Sequence, residues 1–202
     1  MSQIAALVLC GGESRRMGSP KAWLPFGSET LLQRVVRTLG TVASPIIVVA
    51  APDQDLPALP ASVRIVRDPV AHRGPLQGLA SGLAALPDSV DLVYASATDA
   101  PFLRPEWVIR LVELIGNHEI AMPHVGEYYH PLAALYRRAT VLPAVRELLK
   151  GDRMRPVYLV DAVKTRVILA DEMRDIDPEL ATLRNLNTPE DYQQALRETG
   201  LA

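Results

Sequence analysis

Over the first 120 residues, short apolar runs alternate with stretches whose apolar residues recur at helical spacing. Ile4–Cys10, Ile46–Ala51, Val63–Arg67 and Asp91–Ala97 read as strands. Between them, Leu31–Leu39 carries Leu31, Leu32, Val35, Val36 and Leu39 on one face and stops at Gly40. Leu76–Leu86 and Pro105–Ile115 are further helices, the second with proline in its first turn. A strand that is apolar throughout, followed by a crossover helix, is the pattern of a parallel sheet buried on both faces. The pattern predicts an α/β, Rossmann-like three-layer sandwich: a mostly parallel central sheet with helices on both sides.

The second half is less regular. Ile120–Pro123, Leu132–Tyr136 and Thr165–Leu169 read as strands, Thr140–Leu149 and Pro156–Ala162 as helices. Pro189–Arg197 is a terminal helix opened by Asn187-Thr188 and Pro189. Pro52–Pro60 is a proline-rich surface loop. No repeat or linker divides the chain, so a single domain over residues 1–202 is expected, with a first half to about 104 and a second half from about 105.

Composition narrows the function. A net charge of −2 and the absence of any basic run predict no nucleic-acid partner. No apolar run reaches a membrane span, and the N-terminus lacks a secretory pattern. Cys10 is the one cysteine, which excludes an internal disulfide. A cytoplasmic, soluble protein is expected. His72, His118 and His124 lack zinc-ligand spacing.

Directly after the first strand the chain turns polar and cationic, from Gly11 through Arg15, Arg16 and Gly18 to Lys21. In open α/β sheets ligands bind beyond the carboxyl ends of strands. Glycines there let backbone N–H groups approach an anion, and the cations favour a polyphosphate. Two familiar phosphate loops fail: five residues separate Gly12 from Gly18, one too many for a Walker A loop, and Gly11 and Gly12 are adjacent, unlike a dinucleotide fingerprint. Only three of the 21 basic residues are lysines (Lys21, Lys150 and Lys164), so one in this loop stands out.

Gly11-Gly12-Glu13-Ser14-Arg15-Arg16-Met17-Gly18 followed by Lys21 resembles the signature of the glycosyltransferase-A-like nucleotidyltransferases, and within them the molybdenum-cofactor guanylyltransferases. Lys21–Gly27 is also similar to cytidylyltransferase relatives. Later stretches keep the family order: Asp68-Pro69, Gly74-Pro75-Leu76-Gln77-Gly78, Thr98-Asp99-Ala100-Pro101, His130-Pro131-Leu132 and Asn185-Leu186-Asn187-Thr188-Pro189-Glu190-Asp191.

The resemblance implies transfer of a nucleoside monophosphate from a triphosphate, GTP above all, to a phosphorylated acceptor such as molybdopterin, with contacts to other molybdenum-cofactor proteins. It implies catalytic roles for Lys21, Arg16 and Asp99, with Asp99 holding Mg²⁺. Leu9, Cys10, Gly11, Gly12, Arg15, Asp68, Gly74 and Gly78 would line the nucleotide. Asn185, Asn187, Arg153 and His130 would face the acceptor. Three departures bear on the base: Cys10 stands where alanine is usual, Ser19-Pro20 precedes Lys21 where an aspartate is common, and Val49-Ala50-Ala51-Pro52-Asp53 lacks the family's guanine-contacting asparagine, with Asp53 or Gln54 as substitutes. A related cytidylyl- or sugar-phosphate nucleotidyltransferase, or a non-catalytic nucleotide- or pterin-binding protein, are the alternatives.

Overall fold

The computed structural model describes residues 4–11, 20–69 and 73–201. In chain order the strands are β1 (Ile4–Leu9), β2 (Pro25–Phe26), β3 (Glu29–Thr30), β4 (Ile46–Ala50), β5 (Val63–Arg67), β6 (Leu92–Ala97), β7 (Ile120–Val125), β8 (Tyr128–Tyr129), β9 (Ala133–Arg137) and β10 (Thr165–Leu169). The α-helices are α1 (Leu31–Leu39), α2 (Pro75–Ala85), α3 (Pro105–Leu114), α4 (Arg138–Lys150), α5 (Leu159–Ala162) and α6 (Pro189–Glu198). The expected fold class is what forms.

The main sheet runs β10-β7-β9-β6-β1-β4-β5, with β8 paired to β7. β1 pairs in parallel with β4 and with β6, β4 with β5, and β7 with β10. β9 is antiparallel to both neighbours, β6 and β7. Six strands therefore send their carboxyl ends to one edge, and the start of β9 joins them there.

Alternation along β1 builds the two layers. Ala6 and Val8 face a core with Leu32, Val35, Val36 and Leu39 of α1 and Trp107, Val108 and Leu111 of α3. Ala5, Leu7 and Leu9 face a second core with Leu76, Leu79 and Leu83 of α2 and Val141, Val145 and Leu148 of α4. Each leucine or valine among them contributes about 1.5–3 kcal/mol on burial.

α2 lies unusually close to the sheet because of its glycines. A Cβ on Gly78 would stand 2.3 Å from Leu9 Cδ2, and one on Gly82 would stand 2.8 Å from Leu7 Cδ1. The missing side chain of Gly78 is thus taken up by helix–sheet packing.

A third, smaller core sets up the site. Leu24, Phe26 and Leu31 pack on Leu186, Ala195 and Leu196. It docks α6 and the segment before it onto the β2–β3 hairpin, which follows the 3-10 turn Lys21–Trp23. No helix among the described residues is long and apolar enough to cross a membrane.

Candidate active site

The sheet order reverses at β1. The chain lays β4 and β5 on one side of it, then returns to place β6 on the other. That reversal opens a crevice at the carboxyl edge, where α/β proteins bind ligands. β1 and β6, the strands that flank it, lead into Gly11 and Asp99.

Hydrogen bonds fix this edge. The Cys10 N–H donates to Val49 C=O at 2.8 Å, carrying the β1–β4 ladder one rung further. Thr98, buried, donates from its N–H at 3.3 Å and its hydroxyl at 3.1 Å to Leu9 C=O. The Gln54 amide donates to Cys10 C=O at 2.9 Å and accepts from the Ala51 N–H at 3.1 Å. Arg67 donates to the carbonyls of Ala51 and Gln54 at 3.1 and 2.6 Å. Gln54 therefore spends both ends of its amide on backbone. Burial pushes the Cys10 thiol up, which keeps it a neutral wall residue at the strand end.

Lys21 enters from the 3-10 turn that opens at Pro20. Ala22 is buried beneath it, and Trp23 is tethered by its indole N–H to Asp55 C=O at 3.1 Å. The Lys21 ammonium forms an ion pair with the Asp99 carboxylate and donates to Asn187 Oδ1 at 3.3 Å. Asp99 is itself held from behind, its carbonyl accepting from the Leu186 N–H at 3.0 Å. Three residues singled out by sequence, Lys21, Asp99 and Asn187, thus converge.

Asn187 is presented by the start of α6. Thr188 is the N-cap, accepting from the Asp191 N–H at 3.1 Å. The Asp191 carboxylate accepts from the N–H groups of Asn187 and Thr188 at 3.0 and 2.9 Å, and these bonds hold its pKa below the usual carboxylate value. Asn185 is exposed on the same segment.

The remaining candidates spread along the same edge. Asp68 follows β5; its N–H donates to Ala50 C=O at 2.8 Å and its carboxylate accepts from the Ser81 hydroxyl at 3.3 Å. Gly74 is the N-cap of α2 with φ +78°, a conformation that favours glycine. A Cβ there would lie 3.8 Å from Met154 C=O, so the loop after α4 closes over this end of α2. Arg153 of that loop stacks its guanidinium over the Tyr158 ring at 4.2 Å.

His130 precedes β9, its N–H donating to Pro123 C=O at 2.9 Å. Burial, and secondarily His124, hold its pKa below the usual value and leave the ring neutral at pH 7. Gly12, Arg15 and Arg16 lie outside the described residues.

Thr98, Leu186 and Asp191 stand in the motifs quoted above, but the sequence assigns none of them a supporting role. Asp191 has a local signal: an acidic residue three positions after a threonine is a capping pair. Thr98 and Leu186 act through long-range backbone contacts, which have none.

No group of three or more His, Cys, Asp or Glu side chains that could hold a metal occurs among the described residues. A single carboxylate at the carboxyl end of a strand is nonetheless compatible with Mg²⁺, which keeps several waters and needs few protein ligands. The Lys21 ammonium occupies this carboxylate in the structure.

The fold is an α/β sheet whose switch-point crevice is lined by the Lys21–Asp99 pair. The chain belongs to the MobA-like NTP transferase family, whose domain model matches residues 6–164. It is 39% identical over 196 residues, covering 95% of this chain and 94% of the other, to a probable molybdenum cofactor guanylyltransferase of Mycobacterium avium (strain 104).

Among solved structures, molybdopterin-guanine dinucleotide biosynthesis protein A from Archaeoglobus fulgidus superposes with a TM-score of 0.80 at 18% identity, over 98% of this chain and 100% of that one. The 2-C-methyl-D-erythritol 4-phosphate cytidylyltransferase from Thermus thermophilus superposes at 0.73 and 16% identity, over 98% and 99%. At those identities the likeness is one of fold. The family's activity is nucleotidyl transfer.

Proposed function

We propose that the protein is an Mg²⁺-dependent guanylyltransferase that moves GMP from GTP to the phosphate of molybdopterin and releases pyrophosphate. The observation that carries this reading is the meeting of Lys21, Asp99 and Asn187 at the sheet's switch point. The similarity to molybdenum cofactor guanylyltransferases supports the choice of acceptor.

A phosphate oxygen of the acceptor attacks the α-phosphorus. The bond from the α-phosphorus to the bridging oxygen breaks, and pyrophosphate leaves with the electron pair. The attacking phosphate is already anionic near neutral pH, so the site needs charge neutralisation and alignment rather than a strong base.

Lys21 supplies a cation at the α-phosphate, and Arg16, with Arg15, cations for the outer phosphates. Asp99 would hold Mg²⁺, which when bound neutralises phosphate charge. Leu9, Cys10, Gly11, Asp68, Gly74 and Gly78 would serve the nucleotide side, with Gly12 assigned to it from sequence alone. Asn185, Arg153 and His130 form the acceptor side, and Asn187 lies between the two.

One observation favours a second reading, a cytidylyl- or other nucleotidyltransferase. The guanine-contacting asparagine is absent between Val49 and Asp53, and the amide of Gln54 is already committed to Cys10 and Ala51. A pyrophosphate-release assay with molybdopterin and each of GTP, CTP, UTP and dTTP decides. Release with GTP well above the others supports the guanylyltransferase. Release with CTP, UTP or dTTP instead selects the second reading, and release with none of them refutes molybdopterin as the acceptor.

A further inference from the structure

The place on Asp99 that a divalent cation would take is already filled by the protein's own Lys21. The pair is partly shielded, with side chains 22% and 12% exposed, so it is screened less than a surface ion pair. Among the described residues, Asn187 adds a neutral acceptor at 3.3 Å and steadies the ammonium there. The carboxylate cannot give itself fully to both an ammonium and a hydrated divalent ion, because two cations on one carboxylate repel.

We propose that Lys21 is an internal counter-ion that reserves Asp99, so that a divalent cation gains the carboxylate only when a triphosphate draws Lys21 away. The proposal rests on the nucleotidyltransferase reading, since a polyphosphate is the partner able to compete for the ammonium. Once Lys21 turns to phosphate oxygens, Asp99 faces a polyanion without a counter-charge, and a divalent cation relieves that repulsion. Nucleotide and metal therefore favour one another's binding, and the coupling is reciprocal. Asn187 is the parking acceptor of the ammonium, a role that needs no contact with the acceptor substrate.

The test is binding of Mn²⁺ alone, without nucleotide, followed by the electron paramagnetic resonance signal of the free ion. Wild type, Lys21→Met, Lys21→Gln, Arg34→Gln and Lys21→Met/Asp99→Asn are compared, each checked for folding by circular dichroism. Arg34→Gln controls for loss of positive charge: its Nε–H donates to Pro101 C=O at 2.7 Å, two positions from Asp99, without touching the carboxylate.

The lysine variants should bind Mn²⁺ about tenfold or more tightly than wild type, and Arg34→Gln within about threefold of it. The double variant should lose the gain. Equal gains in Lys21→Met and Arg34→Gln, no gain in either lysine variant, or a gain that survives Asp99→Asn would each overturn the proposal.

Metal-free binding of GTP, CTP, UTP and dTTP by wild type, measured by calorimetry in the same buffer, separates the two layers. GTP binding without the Mn²⁺ gain sinks the reservation alone. A Mn²⁺ gain with no binding of GTP, CTP, UTP or dTTP removes the triphosphate as the releasing partner and sinks the nucleotidyltransferase reading with it.

Discussion

The backbone N–H of Leu186 donates to the carbonyl of Asp99 at 3.0 Å, while the Leu186 side chain is wholly buried against the β2–β3 hairpin and α6. One residue thus fastens the C-terminal segment both to the loop after β6 and to the element that carries Lys21. Asn187, the next residue, reaches the Lys21 ammonium as a consequence. The site is assembled from both ends of the chain, and its geometry depends on a small core rather than on the two large ones.

Replacing Lys21 should separate activity from stability. Lys21→Ala removes the cation from the α-phosphate position and should lower kcat by about 10²–10³-fold or more. Its ion pair is largely shielded, so leaving Asp99 without that partner should cost about 1–3 kcal/mol of unfolding free energy, too little to unfold the protein. Pyrophosphate-release kinetics and a urea titration check both; near-normal turnover would contradict the catalytic role.

Gly78 should respond in the opposite sense. A Cβ there has Leu9 Cδ2 at 2.3 Å and Leu9 Cγ at 3.7 Å, so Gly78→Ala forces the β1 end or α2 to shift. The expected loss of stability is about 1–3 kcal/mol. Because Leu9 ends β1 beside the crevice, triphosphate affinity should weaken too. A variant as stable as wild type in a urea titration would show that the helix–sheet spacing yields easily.

The cap of α6 gives a third handle. Thr188→Ala removes the side-chain acceptor for the Asp191 N–H and should cost about 1 kcal/mol of stability. It should also lower kcat, because Asn187 loses its fixed approach to Lys21, whereas Thr188→Ser should restore both. A stability loss with unchanged kcat would mean that the cap does not position Asn187.

His130 predicts a pH dependence with a definite sign. Its folded pKa lies below the ordinary value of 6.5, because burial and then His124 disfavour the imidazolium. Its contribution to stability is complete above 6.5 and is lost as pH falls from there through the lowered folded value. Wild type should therefore lose more stability than His130→Asn between pH about 7.5 and about 5.5, as read from urea midpoints. Parallel pH curves for the two proteins would remove His130 as the source.

Much of the fold was legible because the apolar pattern was unambiguous. α1 spans Leu31–Leu39 as the spacing and Gly40 indicated, and β5 and β10 keep their expected limits. β6 starts at Leu92, one residue later than expected. Pro156–Ala162, expected as one helix, is a 3-10 turn, Pro156–Tyr158, followed by α5.

The reversed direction of β9 and the two-residue strands β2, β3 and β8 were not legible. Direction is decided by which neighbour a strand pairs with, and two residues are too few to show a period. The same holds at the site. Motif spacing pointed to Lys21, Asp99 and Asn187 one by one, but the Lys21–Asn187 contact joins residues 166 positions apart and exists only once α6 docks on the hairpin.

The most direct test of the account is a thermal-shift measurement on wild type and Asp99→Asn with GTP, CTP, UTP or dTTP, each with and without Mg²⁺. GTP at about 100 times its Kd should stabilise wild type by about 2.7 kcal/mol, more with Mg²⁺ than without. Asp99→Asn should keep the metal-free shift and lose the Mg²⁺ increment. If no triphosphate shifts wild type, or if the Mg²⁺ increment survives in Asp99→Asn, the assignment of this edge as a metal–triphosphate site is wrong.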